Sequence, residues 1–245
     1  MIDCNRRRIS CAELPVGGFI KQSLNDYAGR VSAVVFTRGC NFRCVYCHNP
    51  DLVLPERHSR IPPLGLEDIE AWLSANRKLL DAVVITGGEP TIHASLPMWI
   101  RRIRTLGMEV KLDTNGTNPA MLERLIRDGL VDYIAMDLKT VPDREKYSSV
   151  CGCRIPGELI DDIQRSLSIL QRSGISCEVR STLIGSHHTA DDVIAMADKA
   201  GRPVCLQQCD TSKTLRDVSE KGSEKKEIRK IAALAERNGV RVCLR

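Results

Sequence analysis

The sequence predicts an α/β protein in which a parallel sheet forms a partial barrel of the (β/α)6 type, preceded by a short N-terminal extension. Two patterns indicate this class. Short apolar runs rich in β-branched residues recur along the chain, and most intervals between them carry a helical spacing of apolar residues. Strands that alternate with helices are joined by right-handed crossovers, so the sheet is expected to be parallel. Six or seven such units are too few to close an eight-stranded barrel.

Each element is predicted from a local pattern. The apolar runs predict strands over residues 31–37, 82–86, 108–112, 131–136, 175–184, 203–206 and 240–244. Apolar faces predict helices near residues 96–106, 121–126 and 159–170. Glycines stand where helices should end, at positions 107, 129, 174, 201 and 239. The charged stretch 211–230 predicts a solvated loop that leads into the last helix.

One domain is expected overall. A chain of 245 residues with 42% apolar content can bury one sizeable core. We divide this chain into an N-terminal extension, residues 1–30, which is either β-rich or irregular, and a barrel domain, residues 31–245.

The composition argues against several classes of protein. The net charge is only +5 and charges of both signs are interspersed, so nucleic-acid binding is not indicated. The N-terminus has Asp3 and then Arg6 to Arg8 without a following apolar stretch, unlike a signal peptide. No apolar run approaches the roughly 20 residues that span a membrane. We expect a cytoplasmic protein, where clustered cysteines more often bind metal or do redox chemistry than form disulfides.

Three of the eleven cysteines follow the first predicted strand within eight residues, as Cys40, Cys44 and Cys47. At this cysteine frequency the expected number of chance matches to the spacing is about 0.02. A structural zinc site would need four ligands, and His48 would have to fold back sharply to be the fourth. Three thiolates on a cluster of four irons would instead leave one iron open for a substrate or cofactor.

With Tyr46 before the last cysteine, the spacing Cys40-x3-Cys44-x2-Cys47 is the signature of the radical S-adenosylmethionine (SAM) enzymes, and the chain resembles that family. The resemblance implies that the cysteines hold a [4Fe-4S] cluster, that SAM chelates the open iron, and that Tyr46 and His48 help to bind these cofactors. It also implies that one electron splits SAM into methionine and a 5′-deoxyadenosyl radical. A low-potential donor of the flavodoxin or ferredoxin type is expected to supply that electron.

A glycine-rich turn, Gly87-Gly88-Glu89-Pro90, follows the second predicted strand. Taken alone, a Gly-Gly turn is common between a strand and a helix. By the resemblance, Gly87, Gly88 and Glu89 belong to the motif whose backbone accepts the SAM amino group. Glycine is expected there because a Cβ atom would hold the ligand away.

Two further motifs end the third and fourth predicted strands. Asp113-Thr114-Asn115-Gly116 is also a good turn sequence, and the lysine of Asp137-Leu138-Lys139 would ordinarily be solvated. Together they resemble the activating enzymes of glycyl radical enzymes. That resemblance implies that Lys139 contacts SAM, and that Asp113, Thr114 and Asp137 help to hold a monovalent cation beside it. All these motifs lie at the carboxyl ends of strands, where barrel active sites form.

Arg180 lies within the fifth predicted strand, where a guanidinium would need a carboxylate partner. Two partners are open, the SAM carboxylate and Glu178 on the same strand face. The following His187 and His188 precede a helix predicted to begin near Thr189, so they are read as part of an N-cap loop without a ligand role.

Two regions are left undecided. Gln207 and Gln208 follow the sixth predicted strand, where the family has polar contacts to substrate or SAM, but the sequence at 209–211 departs from the family pattern. Cys151 and Cys153 either hold a second cluster or have no metal role.

Residues 16–53 resemble the activating proteins of anaerobic ribonucleoside-triphosphate reductase, and the resemblance extends more loosely to about residue 208. It implies that the adenosyl radical abstracts hydrogen from a backbone glycine of a large partner enzyme. Two other hypotheses remain. The chain is a radical SAM enzyme acting on a small molecule or a tRNA base, or it is a non-catalytic iron–sulfur or zinc module.

Overall fold

The structure is a computed structural model that describes residues 14–184, 187–209, 214–215 and 225–244, with the side chains of 225–227 left out. Its strands are β1 (Val16–Ser23), β2 (Ser32–Thr37), β3 (Ala82–Gly87), β4 (Glu109–Thr114), β5 (Tyr133–Asp137), β6 (Ser176–Leu183), β7 (Val204–Gln208) and β8 (Val242–Leu244). Its α-helices are α1 (Pro50–Val53), α2 (Leu66–Asn76), α3 (Leu96–Arg104), α4 (Pro119–Arg127), α5 (Arg144–Cys151), α6 (Gly157–Arg172), α7 (Ala190–Ala200) and α8 (Lys225–Arg237). Short 3-10 helices cover Pro55–Arg60 and Pro90–Ile92.

The strands form one sheet in the order of the sequence, β1 to β8. All neighbours from β2 to β8 pair in parallel, whereas β1 pairs antiparallel with β2. Within the described residues β1 and β8 are the two edges and do not pair with each other, so the barrel is open. The predicted class, an α/β fold with a partial parallel barrel, is confirmed.

The N-terminal edge of the sheet is irregular. The pairing of β1 with β2 shifts register between Val16 and Gly18 and again between Ile20 and Ser23. Residues 1–13 of the predicted extension lie outside the described residues, and β1 belongs to the same sheet as the strands that follow it. The division at residue 30 stays a prediction.

Burial explains why the inner strands were recognisable. The central residues of β2 and β3 are buried on both faces, as expected when helices cover a parallel sheet. Helix α3 turns Trp99, Ile100 and Ile103 into the core and carries its arginines on the other side. Burying an isoleucine side chain stabilises the fold by about 1.5–3 kcal/mol.

The helix ends agree with the glycines and the N-cap residue that the sequence predicts. All five glycines predicted to end helices have positive φ values, between 60° and 82°. Thr189 is the N-cap of α7 and forms a capping box with Asp192, as the predicted start near Thr189 requires. Most of the charged stretch 211–230 lies outside the described residues, and α8 begins within it at Lys225. No helix in the described part of the chain combines the length and apolarity needed to cross a membrane.

Candidate active site

One cavity at the carboxyl ends of the parallel strands collects the four predicted motifs. Its lining includes the three cysteines of the first motif, both glycines and the glutamate of the second, and residues of both aspartate motifs. These lining residues are Cys40, Cys44, Cys47, Gly87, Gly88, Glu89, Asp113, Thr114, Asp137 and Lys139. Residues almost 100 positions apart in the sequence therefore face one space, because each follows or ends a neighbouring strand.

The cysteine loop, residues 38–49, is held by backbone hydrogen bonds on both sides. The Gly39 amide donates to the Leu52 carbonyl at 2.8 Å. The amides of Arg43 and Val45 donate to the end of α5, at 3.0 Å to the Cys151 carbonyl and 3.2 Å to the Val150 carbonyl. The loop is therefore anchored by backbone contacts to α1 and α5.

Asn41 joins the cysteine loop to the Asp-Thr-Asn-Gly turn. Its Nδ2 donates to Thr117 Oγ1 at 2.8 Å, and its Oδ1 accepts from Asn115 Nδ2 at 2.8 Å. Thr117 Oγ1 in turn donates to Asn115 Oδ1 at 2.7 Å. Sequence reasoning missed Asn41 and Thr117, since a single asparagine or threonine gives no signal until the turns are placed together.

The two glycines of the Gly-Gly-Glu turn are needed for a reason that differs from the expected one. A Cβ atom on Gly88 would lie 1.9 Å from the Gly39 carbonyl oxygen, and one on Gly87, where φ is 108°, would lie 2.5 Å from the Thr37 amide nitrogen. The close approach is thus to the backbone that leads into the cysteine loop. The expected exclusion of a Cβ atom by the ligand stays a prediction.

Glu89 is buried, with 1% of its surface exposed, and ties two turns together. Its Oε1 accepts hydrogen bonds from the Thr91 amide at 3.0 Å, the Thr91 hydroxyl at 2.5 Å and the Thr114 hydroxyl at 2.8 Å. Its Oε2 accepts from the Asn115 amide at 2.7 Å. Burial raises the pKa of Glu89, although these hydrogen bonds oppose that shift. The carboxyl group therefore links the glycine turn to the third motif.

A chain of ion pairs runs across β4, β5 and β6, which we call the ion-pair chain. Lys111 Nζ lies 3.3 Å from Asp113 Oδ1, and Arg180 Nη2 lies 3.4 Å from Asp113 Oδ2. Arg180 Nε donates to Asp137 Oδ1 at 2.8 Å, and Lys139 Nζ donates to Asp137 Oδ2 at 3.1 Å. The sequence did not indicate these aspartates as partners of Arg180, and it did not single out Lys111.

Within the ion-pair chain, electrostatics keep Asp137, Lys139 and Arg180 charged. Burial would raise the pKa of Asp137, but Arg180 and Lys139 outweigh it and lower that pKa to about 2. Burial acts against the charged forms of Lys139 and Arg180 as well, yet Asp137 raises the pKa of each above its ordinary value. The buried charges are therefore compensated by each other.

Lys139 lines the cavity and is held there by contacts to its backbone. Its amide donates to the Tyr147 hydroxyl at 3.2 Å, and its carbonyl oxygen lies 2.8 Å from His188 Nε2. Its ammonium lies 5.8 Å from the centre of the Tyr46 ring, within the range of a cation–π contact. His188 is buried and supports Lys139, a role that the N-cap interpretation of this loop did not include.

The other side of the cavity is lined by polar residues of β6 and β7. Thr182 and Gln207 face it, as does His48, whereas Gln208 is exposed. Cys209 is buried, and residues 210–211 lie outside the described residues.

Cys151 is buried behind the cysteine loop and forms a side-chain hydrogen bond with Cys44. That hydrogen bond lowers the pKa of Cys44 against the effect of burial.

Across the described ranges, no three His, Cys, Asp or Glu side chains stand close enough to hold a single metal ion. The thiolates of a cubane cluster each bind a different iron, so they stand farther apart than the ligands of one ion.

The comparisons with known proteins decide the family. A family model of the radical SAM superfamily matches residues 34–200, a range that includes all four motifs and Arg180. The chain belongs to the radical SAM superfamily. Membership implies a [4Fe-4S] cluster and SAM, and the structure fits both. Three thiols and a buried ammonium face one cavity whose glycine turn lies directly against the cysteine loop.

Individual relatives within the superfamily differ in their named activities. A Methanocaldococcus jannaschii protein provisionally named a glycyl-radical enzyme activating enzyme is 36% identical over 180 residues, which cover 73% of this chain and 72% of that protein. A Pyrococcus horikoshii protein provisionally named a GTP 3′,8-cyclase is 31% identical over 137 residues, 56% of this chain and only 42% of that protein.

The fold is shared with a solved structure. The crystal structure of QueE from Escherichia coli superposes with a TM-score of 0.56 at 15% identity, covering 95% of this chain and 93% of QueE. At that identity the likeness concerns the fold alone.

Proposed function

We propose that this radical SAM enzyme activates a glycyl radical enzyme, and that anaerobic ribonucleoside-triphosphate reductase is its partner. The observation that carries the proposal is the 36% identity to the named activating enzyme over most of both chains. The Asp-Thr-Asn-Gly and Asp-Leu-Lys motifs, which resemble those of activating enzymes, support it by lining the cavity that the three cysteines face.

The residues of the cavity divide into three tasks under this proposal. Cys40, Cys44 and Cys47 hold the [4Fe-4S] cluster, which with SAM supplies a 5′-deoxyadenosyl radical when both are bound. The backbone of Gly87 and Gly88 presents polar groups to the SAM amino group. The remaining contacts to the cofactors come from Tyr46, His48, Glu89 and Lys139.

The open barrel supports a protein substrate. A backbone glycine can be reached only if a loop of the partner enters the cavity, and the described strands leave one side of the barrel unclosed. Hydrogen abstraction by a radical needs no general base, so the proposal assigns no proton-transfer residue. A flavodoxin- or ferredoxin-type protein would supply the electron.

The proposal is tested by incubating the reconstituted, reduced protein with SAM and the partner reductase. We expect the doublet of a glycyl radical in the electron paramagnetic resonance spectrum, and 5′-deoxyadenosine in proportion to it. Controls are a Cys44→Ala variant of this chain and a reductase whose radical glycine is replaced by alanine. A missing doublet in the presence of SAM cleavage would contradict the proposal.

A second candidate function is radical chemistry on a small molecule or on a tRNA base. The relative named a GTP 3′,8-cyclase favours the small-molecule form. Formation of 5′-deoxyadenosine that is stimulated by GTP or by RNA, and not by a glycine-loop peptide, would select this candidate. The hypothesis of a non-catalytic module fails if the reduced protein cleaves SAM at all.

A further inference from the structure

The resemblance to activating enzymes implies a monovalent cation between Asp113, Thr114 and Asp137, and the structure does not fit one. The place between the two carboxylates is taken by the guanidinium of Arg180. Its Nε is 2.8 Å from Asp137 Oδ1, and both of its Nη atoms are 3.4 Å from Asp113 Oδ2. The Thr114 hydroxyl donates to Glu89 and accepts from the Gly116 amide, so it too is engaged within the protein.

The remaining carboxylate oxygens also face side-chain cations. Asp137 Oδ2 accepts from Lys139 at 3.1 Å, and Asp113 Oδ1 lies 3.3 Å from the Lys111 ammonium. Asp113 Oδ1 is buried and accepts no hydrogen bond, so it is the oxygen at which a metal ion would have to compete with Lys111.

The strand register explains why Arg180 reaches both aspartates. Arg180 is paired with Asp137 across β5 and β6, and Asp113 lies one strand farther, opposite Ala135 of β5. Thr182, two residues along β6 on the same face, lines the cavity, whereas the guanidinium lies one layer deeper, with its side chain 11% exposed. Arg180 is therefore level with Asp137 in the strand register, and its side chain reaches across β5 to Asp113.

We propose that the Arg180 guanidinium occupies the position of the monovalent cation, so that this chain binds SAM without an alkali metal ion. A guanidinium is always charged, is weakly hydrated and presents a rigid set of donors that can bind two carboxylates at once. Arg180 is therefore a positioning residue that acts on SAM through Asp113 and Asp137. The expected cation comes from the resemblance to activating enzymes, whereas SAM binding, which the test measures, belongs to the superfamily and does not depend on the identity of the partner.

The test measures SAM affinity of the reconstituted protein in KCl, NaCl and tetramethylammonium chloride at equal ionic strength. For the wild type we expect dissociation constants within about twofold of each other, since screening is the same in all three salts. For Arg180→Gln in tetramethylammonium we expect binding about tenfold weaker, the size of one lost charge-assisted hydrogen bond, with recovery in K⁺ or Na⁺.

Two further variants and a second readout complete the test. Arg180→Lys keeps a charge and should remain independent of alkali ions, and Arg104→Gln, which breaks an ion pair with Asp132 outside the cavity, should behave as the wild type. The melting temperature of the cluster-free proteins in the same salts should depend on alkali ions only for Arg180→Gln.

The proposal is overturned if wild-type protein binds SAM tightly only with K⁺ or Na⁺, or if Arg180→Gln binds SAM as well as wild type in every salt. The comparison of wild-type SAM affinity in the three salts needs no variant. It therefore remains decisive even if the Arg180→Gln protein does not fold. None of these measurements requires a glycyl radical, so their failure is distinct from failure of the proposed function.

Discussion

Glu89 illustrates how one buried side chain connects two motifs. All the donors to its carboxylate come from residues 91, 114 and 115, so an amide in its place would turn one N–H group toward another donor. We expect Glu89→Gln to lower the free energy of unfolding by about 1–3 kcal/mol, measured by denaturant titration. Glu123→Gln, at an exposed site on α4, should change it by less than about 0.5 kcal/mol. Equal effects of the two changes would contradict this role of Glu89.

Asn41 should matter for retention of the cluster. Asn41→Ala removes both hydrogen bonds that join the cysteine loop to residues 115 and 117, at a cost of about 1–3 kcal/mol. We expect less iron per chain after desalting than in the wild type. Asn238→Ala, which removes one side-chain hydrogen bond to the Leu234 carbonyl of α8, is the control and should keep its iron. Full iron retention by Asn41→Ala would show that the loop does not need this support.

Cys151 and Cys153 are expected to hold no second cluster. The Cys151 thiol is hydrogen-bonded to the Cys44 side chain, and Cys151 is not among the residues that line the cavity. The double variant Cys151→Ser, Cys153→Ser should therefore retain the iron and sulfide content of the wild type, whereas Cys44→Ser should lose it. A fall to half the iron content in the double variant would indicate a second cluster.

At the scale of elements, the contact between the glycine turn and the cysteine loop is the tightest constraint on the site. Gly88→Ala places a methyl group against the Gly39 carbonyl, so the backbone must move, at a cost of about 1–3 kcal/mol or more. We expect lower stability together with loss of iron. Gly157→Ala, where the space around the first residue of α6 is open, should be neutral or stabilising by up to about 1 kcal/mol. Denaturant unfolding and iron assays on both variants check this.

The regular elements were predictable because their signals are local. A buried strand such as 82–86 is recognised by its continuous run of β-branched residues. An amphipathic helix such as α3 is recognised by apolar residues that recur with the helical period. Strand β1 was foreseen only as a β-rich or irregular extension, because its polar residues and two glycines give no strict alternation. Helices α1 and α5 are short and carry no long apolar stripe, so the sequence did not reveal them.

At the scale of the whole molecule, the meeting of the four motifs at one cavity was predictable, and the pairing of their side chains was not. The motifs share an edge of the sheet because every parallel strand ends there, which the strand–helix alternation already implies. The ion-pair chain depends on register between three strands, and a shift of one residue would turn Arg180 to the other face. Partners of Arg180 and the part played by Lys111 therefore needed the structure.

The ion-pair chain also predicts an acid sensitivity of the fold. The folded-state pKa of Asp137, about 2, lies below its ordinary value of 3.8, so its contribution to stability is fully present above that ordinary value and is lost as the pH falls toward 2. Arg180→Gln removes the guanidinium that lowers this pKa, so its acid unfolding midpoint should lie at higher pH. Urea unfolding between about pH 2 and 6 measures both proteins. Identical pH profiles would contradict the coupling.

An unclosed barrel carries a hazard, because the backbone of an outermost strand can recruit a strand from another molecule. In the described part of the chain β8 spans three residues, and β1 breaks its hydrogen-bonding register twice along its length. A strand whose register is interrupted is a poor template for pairing with a strand of another molecule. The gap through which a partner loop would enter is thus bordered by strands that are poor seeds for aggregation.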